Sequence, residues 1–196
     1  MQTLKQNLEE IITISDAEWQ EVSKLFKYRY FKKHEMIYQG GEIMDVVFYL
    51  SKGVAKSHIY DAEHKEFIWQ IYYNHSKLST KSALLEDCVS YYDKTPSLLN
   101  FEALEDVKCY EISRADLERL YESDMKWQYM GRMLTQSAYG NAYKRVVSIM
   151  TQNATARYTD LLNTYPNIFD YVKAYHIAAY LGIAPQSLSR LRKKLS

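Results

Sequence analysis

The sequence predicts an α+β protein: an N-terminal antiparallel β-roll (a double-stranded β-helix), one long helix, and a small helical unit at the C-terminal end. Three observations predict it. Short segments rich in β-branched and aromatic residues fill the stretch from Lys27 to Ile112, with turn signals between them. Helical spacing takes over after Ser123 and runs to about Thr151 without a proline. Residues 174–196 are apolar at helical spacing, hold one glycine, and then turn basic.

Each element has a local reason. Ser15-Asp16-Ala17-Glu18 is a capping-box pattern, and Trp19, Val22, Leu25 and Phe26 follow on one helical face. "YRYF", "EMIYQ", "VVFYL", "VAKSHIY", "EFIWQIYY" and "VKCYEI" read as strands, separated by Gly40-Gly41, Ser51-Lys52-Gly53 and "DAEHK". Between the last two strands, "NHSKLSTKSALLEDCVSYYDKTPS" breaks the rhythm. It reads as a polar insertion with one helical turn around Lys81 to Leu85, of the kind that walls a pocket.

Ser113-Arg114-Ala115-Asp116 is a second capping box, with Leu117, Leu120 and Tyr121 behind it. Ser123 is the expected cap of the long helix. That helix far exceeds the average of about 11–12 residues, and long helices bury a stripe against something. Trp127, Met130 and Leu134 keep the spacing, and Ser137, Ala138, Gly140 and Ala142 are small enough for close approach. The expected partner is a second copy of the helix, against the alternative of packing on its own β-domain. Beyond Ala142 this seam weakens, with Lys144 and Ser148 on it. Asn153 caps a further helix to about Asn163, which Tyr165-Pro166 ends.

The terminal stretch meets the requirements of a helix-turn-helix. Ala178 is small where the second helix crosses the first, and Gly182 tolerates positive φ in the turn. Ile177, Leu181, Ile183, Leu188 and Leu191 fall where the helices bury each other, and Pro185 opens the second helix. The face left outward carries Gln186, Ser187, Ser189, Arg190, Lys193 and Lys194. Charge agrees: from Gly131 onward there are nine basic and two acidic residues, a net +7, although the whole chain carries only +1.

"KAYHIAAYLGIAPQSLSRLRKKL" closely resembles the DNA-binding end of Crp/Fnr-type transcription regulators. "EMIYQGGEIMDVVFYLSKGVAKSHIY" and "TPSLLNFEALEDVKCYEISRADLERL" resemble the two ends of that family's β-roll, and "ARYTDLLNTYP" the helix before its helix-turn-helix. The resemblance implies a cytoplasmic homodimer on double-stranded DNA, with a sensor β-roll at 1–122, a dimerisation helix at 123–151 and a DNA-binding domain at 152–196. It names RNA polymerase as a candidate partner and leaves room for a small-molecule effector. It places base reading on Gln186, Ser187 and Arg190, and phosphate contacts on Ser189, Arg192, Lys193 and Lys194. Two departures stand out: Ala184 occupies the place of the usual Thr or Ser cap, and the family's wing hairpin is not expected after Ser196.

Other functions fit less well. Family members that bind cyclic AMP use a Gly-Glu pair and an Arg before Ser or Thr, because a buried phosphate must be paired. Here no arginine lies between Tyr30 and Ser113 and no glycine between Val54 and Met130. Ser97 stands near the arginine's place, and Lys77 or Lys81 would offer only a point charge. Cyclic AMP is therefore not the expected ligand. Two cysteines, Cys88 and Cys109, are too few for a four-thiolate iron–sulfur cluster. His34, His58, His64 and His75 are scattered, so neither haem nor another metal is expected. Tyr72, Tyr73, Tyr91 and Tyr92 either line an aromatic pocket or fill a core. The catalytic motifs of hydrolases, P-loop enzymes and zinc proteases are missing, so no enzyme is expected. The alternative is a β-roll module that binds a ligand or protein and does not bind DNA specifically.

Overall fold

The computed structural model describes residues 1–74 and 83–195. Helix α1 (Gln2–Glu9) is followed by α2 (Asp16–Val22), whose capping box closes in both directions: the Glu18 N–H donates to Ser15 Oγ and the Ser15 N–H to the Glu18 carboxylate, 3.3 and 2.8 Å. Among the described residues eight strands follow: β1 (Lys27–Phe31), β2 (Met36–Tyr38), β3 (Val46–Lys52), β4 (Val54–Tyr60), β5 (Glu66–Tyr73), β6 (Leu84–Leu85), β7 (Asn100–Ala103) and β8 (Val107–Ser113). They form two four-stranded antiparallel sheets, in the orders β1-β8-β3-β6 and β2-β7-β4-β5. Their inner faces bury Phe48, Leu50, Ala55, Tyr72, Phe101 and Cys109. This is the expected β-roll.

The insertion differs from its expected form. Residues 75–82, with His75, Lys77 and Lys81, lie outside the described residues. Leu84 and Leu85, expected in a helical turn, are strand β6, paired with Tyr49 and Phe48. The helix lies later, as α3 (Cys88–Asp93), because Asp87 supplies its cap by accepting from the Val89 and Ser90 N–H groups. Strand β7 has no counterpart among the strands read from sequence. Its four residues, Asn100 to Ala103, are too few to show a clear alternation, yet Phe101 and Ala103 are fully buried.

Helix α4 (Arg114–Ser123) gives way to α5 (Met125–Thr151), and the cap of α5 is Asp124 rather than Ser123. The Asp124 carboxylate accepts the Lys126 N–H at 2.9 Å, and the Ser123 hydroxyl closes α4 by donating to the Leu120 carbonyl. The first third of α5 packs on its own roll. Trp127 and Met130 are buried there with Leu134 against them, and a Cβ on Gly131 would meet the Tyr121 ring at 2.6 Å. The expected seam through Trp127, Met130 and Leu134 is therefore an intramolecular one.

A different face of α5 is open. Met125, Tyr129, Arg132, Gln136, Tyr139, Tyr143, Val146 and Met150 are all exposed and follow each other in alternating steps of four and three. Tyr139 and Met150 are 72% and 79% exposed, among the most exposed apolar groups on this face. Helices α6 (Ala154–Thr164), α7 (Ile168–Tyr171), α8 (Ala174–Leu181) and α9 (Pro185–Leu195) complete the chain, α6 capped by Asn153 as expected. Among the described residues no helix is long and apolar enough to cross a membrane.

Candidate nucleic-acid interface

The turn between α8 and α9 rests on one glycine. Gly182 adopts φ +66°, which an L side chain reaches only at a cost. Its N–H donates to the Ala179 carbonyl and the Ile183 N–H to the Ala178 carbonyl, so the last carbonyls of α8 are satisfied as the chain reverses. Ala178 is fully buried under the crossing, and Leu188 of α9 closes onto it at 1% exposure. Pro185 sits in the first turn of α9, where a missing N–H is harmless. Without a side-chain cap at Ala184, α9 begins on backbone bonds: the Ala184 carbonyl accepts the Ser187 and Leu188 N–H groups.

The geometry of α9 sorts the expected contact residues. At about 100° per residue, Gln186, Arg190 and Lys193 fall within about 60° of each other, opposite Leu188 and Leu191. All three are exposed. Exposed Ser189 and Lys194 flank them, whereas Ser187 is half-buried at the edge. Arg192 points elsewhere: its guanidinium lies over the Phe169 ring of α7, 4.3 Å from the centroid. Its charge stays exposed, but its plane is held by packing.

The opposite side of this unit docks on the roll. Ile68, Ile71 and Tyr73 of β5, with Val54 and Leu104, share one core with Tyr158, Leu161, Ile168, Ile177, Ala178 and Leu181. Tyr73 meets Tyr165 edge to face at 5.1 Å. Of the four tyrosines that the sequence offers for a pocket, Tyr72 is thus inside the roll, Tyr73 at this seam, Tyr91 in the core and Tyr92 exposed. Tyr91 and Tyr92 line one cavity, and Tyr72 and Tyr73 lie apart from it.

Two arginines brace the carbonyls around α8, and Arg145 also reaches the roll, although a count of charge along the sequence assigns both to a polyanion. One Arg145 nitrogen donates to the Ile68 carbonyl of β5 and the Tyr180 carbonyl of α8, 2.8 and 2.7 Å. The same guanidinium lies 3.8 Å from the Tyr180 ring centroid. Burial lowers its pKa. Arg157 of α6 grips the Leu181 carbonyl with two nitrogens, 3.1 and 3.0 Å. Both arginines satisfy carbonyls near the turn, so the net +7 overstates the charge that faces outward. Nothing in the local sequence separates Arg145 from an outward arginine, because its acceptors lie far away in the chain.

A row of charged groups also crosses the outer face of the second sheet toward α8. His34, at the β1–β2 turn, contacts Glu102 of β7 at 3.2 Å. Lys56 of β4 bonds both Glu102 and Glu66 of β5, and it is only 2% exposed. Glu66 in turn lies 3.8 Å from His58 Nε2 and 3.8 Å from His176 Nδ1 of α8. Burial would raise the Glu66 carboxyl, but His176 and Lys56 outweigh it and hold it at about 2. Burial, then Lys56, lowers the pKa of His58. His58, Glu66 and Glu102 bring ligand atoms within 4.8 Å of one another. The Lys56 ammonium already joins the two carboxylates, so a divalent cation there would face a buried positive charge.

Among its described residues, the sensor half offers a phosphate little. Near Ser97, the carboxylate of Asp87 accepts both the Ser97 hydroxyl and the α3 N–H groups. Glu86 lies beside it, its carboxyl raised by burial. The cavity between α3, α4 and α5 is about 60 Å³ and mostly apolar, lined by Leu84, Tyr91, Leu117 and Trp127.

Comparison with known proteins places this geometry. Residues 28–124 match the family model described as Cyclic nucleotide-binding domain. A search of curated proteins finds no match. Among solved structures, the chain is similar to FixK2 from Bradyrhizobium japonicum, with 18% identity over 87% of this chain and 84% of that one, TM-score 0.69. It is similar to the catabolite activator protein of Thermus thermophilus, with 14% identity over 96% and 86%, TM-score 0.59. A Crp/Fnr-family protein from Eubacterium rectale shows 14% identity over 92% and 83%, TM-score 0.67. At these identities the likeness is one of fold, and it extends over the roll, the long helix and the C-terminal helices.

Proposed function

We propose that this chain, which has the fold of the Crp/Fnr-type regulators, is a sequence-specific transcription regulator that binds double-stranded DNA as a homodimer. The single observation that carries the reading is α9: Gln186, Arg190 and Lys193 share its exposed face while its other face is buried in the docking core. Arginine pairs in bidentate fashion with guanine and glutamine with adenine, so Arg190 and Gln186 read bases. Ser187 reads only at the edge of this face. Ser189, Lys193, Lys194 and the stacked Arg192 contact phosphates, which position the helix without reading sequence. In this reading residues 1–122 are the sensor, 123–151 the dimerisation helix and 152–196 the helix-turn-helix domain, in a cytoplasmic, non-enzymatic protein.

The open heptad of α5 supports the dimer. A strict alternation of four and three is the seam of a two-stranded coiled coil. It runs from Met125 to Met150, and its C-terminal half is Tyr139, Tyr143, Val146 and Met150. Two protomers joined there carry two α9 helices to half-sites about 34 Å apart. Replacing Tyr139 and Tyr143 together with Glu should cost about 2–4 kcal/mol of association and leave a monomer in sedimentation at micromolar concentration. Cyclic AMP is not the effector in this reading, since the Asp87 carboxylate bonds Ser97 and no arginine lies between Tyr30 and Ser113 to pair a phosphate.

Selection of bound sites from random DNA tests the whole reading. A palindromic consensus is expected. Binding should fall about 10³–10⁵-fold between about 50 and 200 mM salt if roughly 6–10 phosphates are neutralised. Random recovered sequences, with no such salt dependence, would favour the alternative of a ligand- or protein-binding module.

A further inference from the structure

A second cavity opens between β5 and helices α5, α6 and α8. It measures about 630 Å³, within the range of about 300–1,000 Å³ that small-molecule sites occupy. Its charged lining is Lys144, Arg145, Arg157 and Asp160, a net +2. The two guanidiniums stand side by side, because they bond the carbonyls of successive residues: Arg145 that of Tyr180, and Arg157 that of Leu181. A carbonyl satisfies an N–H and leaves the charge in place. Among the described residues no carboxylate forms an ion pair with Lys144, Arg145 or Arg157. The C-terminal end of α8 offsets about half a charge through its dipole, against two full cations. Asp160 is engaged elsewhere, accepting the Gln152 amide at 2.8 Å. Burial lowers the Arg145 pKa, Tyr180 offsets part of this, and the Arg157 charge lowers it again. Arg145 Nε is buried with no hydrogen-bond partner.

We infer that this cleft binds a small phosphorylated molecule of about mononucleotide size. A phosphate monoester carries about −1.5 to −2 near neutral pH, which matches the net +2 of the lining, whereas a single carboxylate matches half of it. Lys144 is exposed and meets the phosphate as a point charge. Arg145 and Arg157 stay on their carbonyls and supply the field behind it. Gln70 and Asn141 offer hydrogen bonds to the rest of the molecule. The site is separate from the dimer seam. At about 100° per residue, Asn141, Lys144, Arg145 and Ser148 lie on the side of α5 opposite Tyr139, Tyr143, Val146 and Met150. It is also outside the roll, since the Ile71 that lines it belongs to the docking core. Arg145 stands on the long helix and Arg157 on the C-terminal unit, so an anion that screens them from each other strengthens the docking of the two. By mass action the ligand then stabilises the docked arrangement. Its effect on DNA reading rests on the proposed function, but its binding does not.

Titration of the full-length protein with inorganic pyrophosphate at constant ionic strength, followed by its backbone amide and arginine Nε–H resonances, tests the site without DNA. Saturable shifts are expected at the Arg145 Nε–H and at amides of residues 141–148 and 157–164. K144Q should weaken this binding about tenfold, the effect of losing one charged contact, and K27Q, the same loss of charge on β1, should leave it unchanged. Shifts that do not saturate, shifts confined to α9, or an equal response in K144Q and the parent would overturn the inference. A DNA phosphate is the other source of this chemistry. On the selected DNA site, the slope of log affinity against log salt should be the same for K144Q and the parent. A slope shallower by about 0.9 would give Lys144 to DNA and overturn a small-molecule site. Where no DNA site is recovered, the pyrophosphate titration decides alone.

Discussion

Arg145 and Arg190 lie in the same basic C-terminal stretch and do opposite things. Arg145 is half-buried between β5 and α8, and its cation is taken up by two carbonyls and an aromatic face. Arg190 stands on the exposed face of α9 beside Gln186 and Lys193. Local charge density therefore does not measure a nucleic-acid footprint. What matters is whether the fold has already supplied acceptors. A guanidinium enclosed with carbonyls stabilises the tertiary arrangement, and one left in water is available to a partner.

This contrast is open to direct attack. The largest effect is expected for Arg145→Ala, which orphans two carbonyls at a buried junction and removes the stacking on Tyr180. It should cost about 3 kcal/mol in chemical denaturation, with the docking of α8 lost first. An Arg145→Ala protein as stable as the parent would show that the seam does not depend on the arginine. Arg190→Ala should behave in reverse. Its stability should stay within about 0.5 kcal/mol, and affinity for the selected DNA site should drop by about 1–3 kcal/mol, with preference relaxed at one base position. Uniform weakening on every sequence would make Arg190 a phosphate contact instead. The smallest effect belongs to Lys193→Ala. Base preference should be unchanged, and the slope of log affinity against log salt should be shallower by about 0.9 for each phosphate no longer neutralised.

The two ends of α5 carry a related lesson. In the sequence, Trp127, Met130 and Leu134 and the small residues after them mark one helical stripe, expected to face a second copy. In the fold that stripe begins against the protein's own roll, with Gly131 under Tyr121. The exposed heptad uses the tyrosines at 139 and 143 and the valine at 146, which tyrosine's mixed character hides in a chain with 19 of them. Two apolar stripes on one helix look alike until something covers one of them.

What is legible in the sequence is what depends on near neighbours. Caps at Ser15, Ser113 and Asn153 fall where serine, asparagine and the following residues allow them. The strand-to-helix change follows from side-chain period. The α8–α9 turn follows from Ala178, Gly182 and Pro185, because each acts within a few residues of itself. Three outcomes belong to the tertiary arrangement instead: which cations stay outside, which face of α5 remains open, and that Lys56, Glu66, Glu102 and His176 meet in one row. They are set by strand register and by the docking of α8 on β5. Both join residues far apart in the chain, and periodicity within a segment carries no record of them.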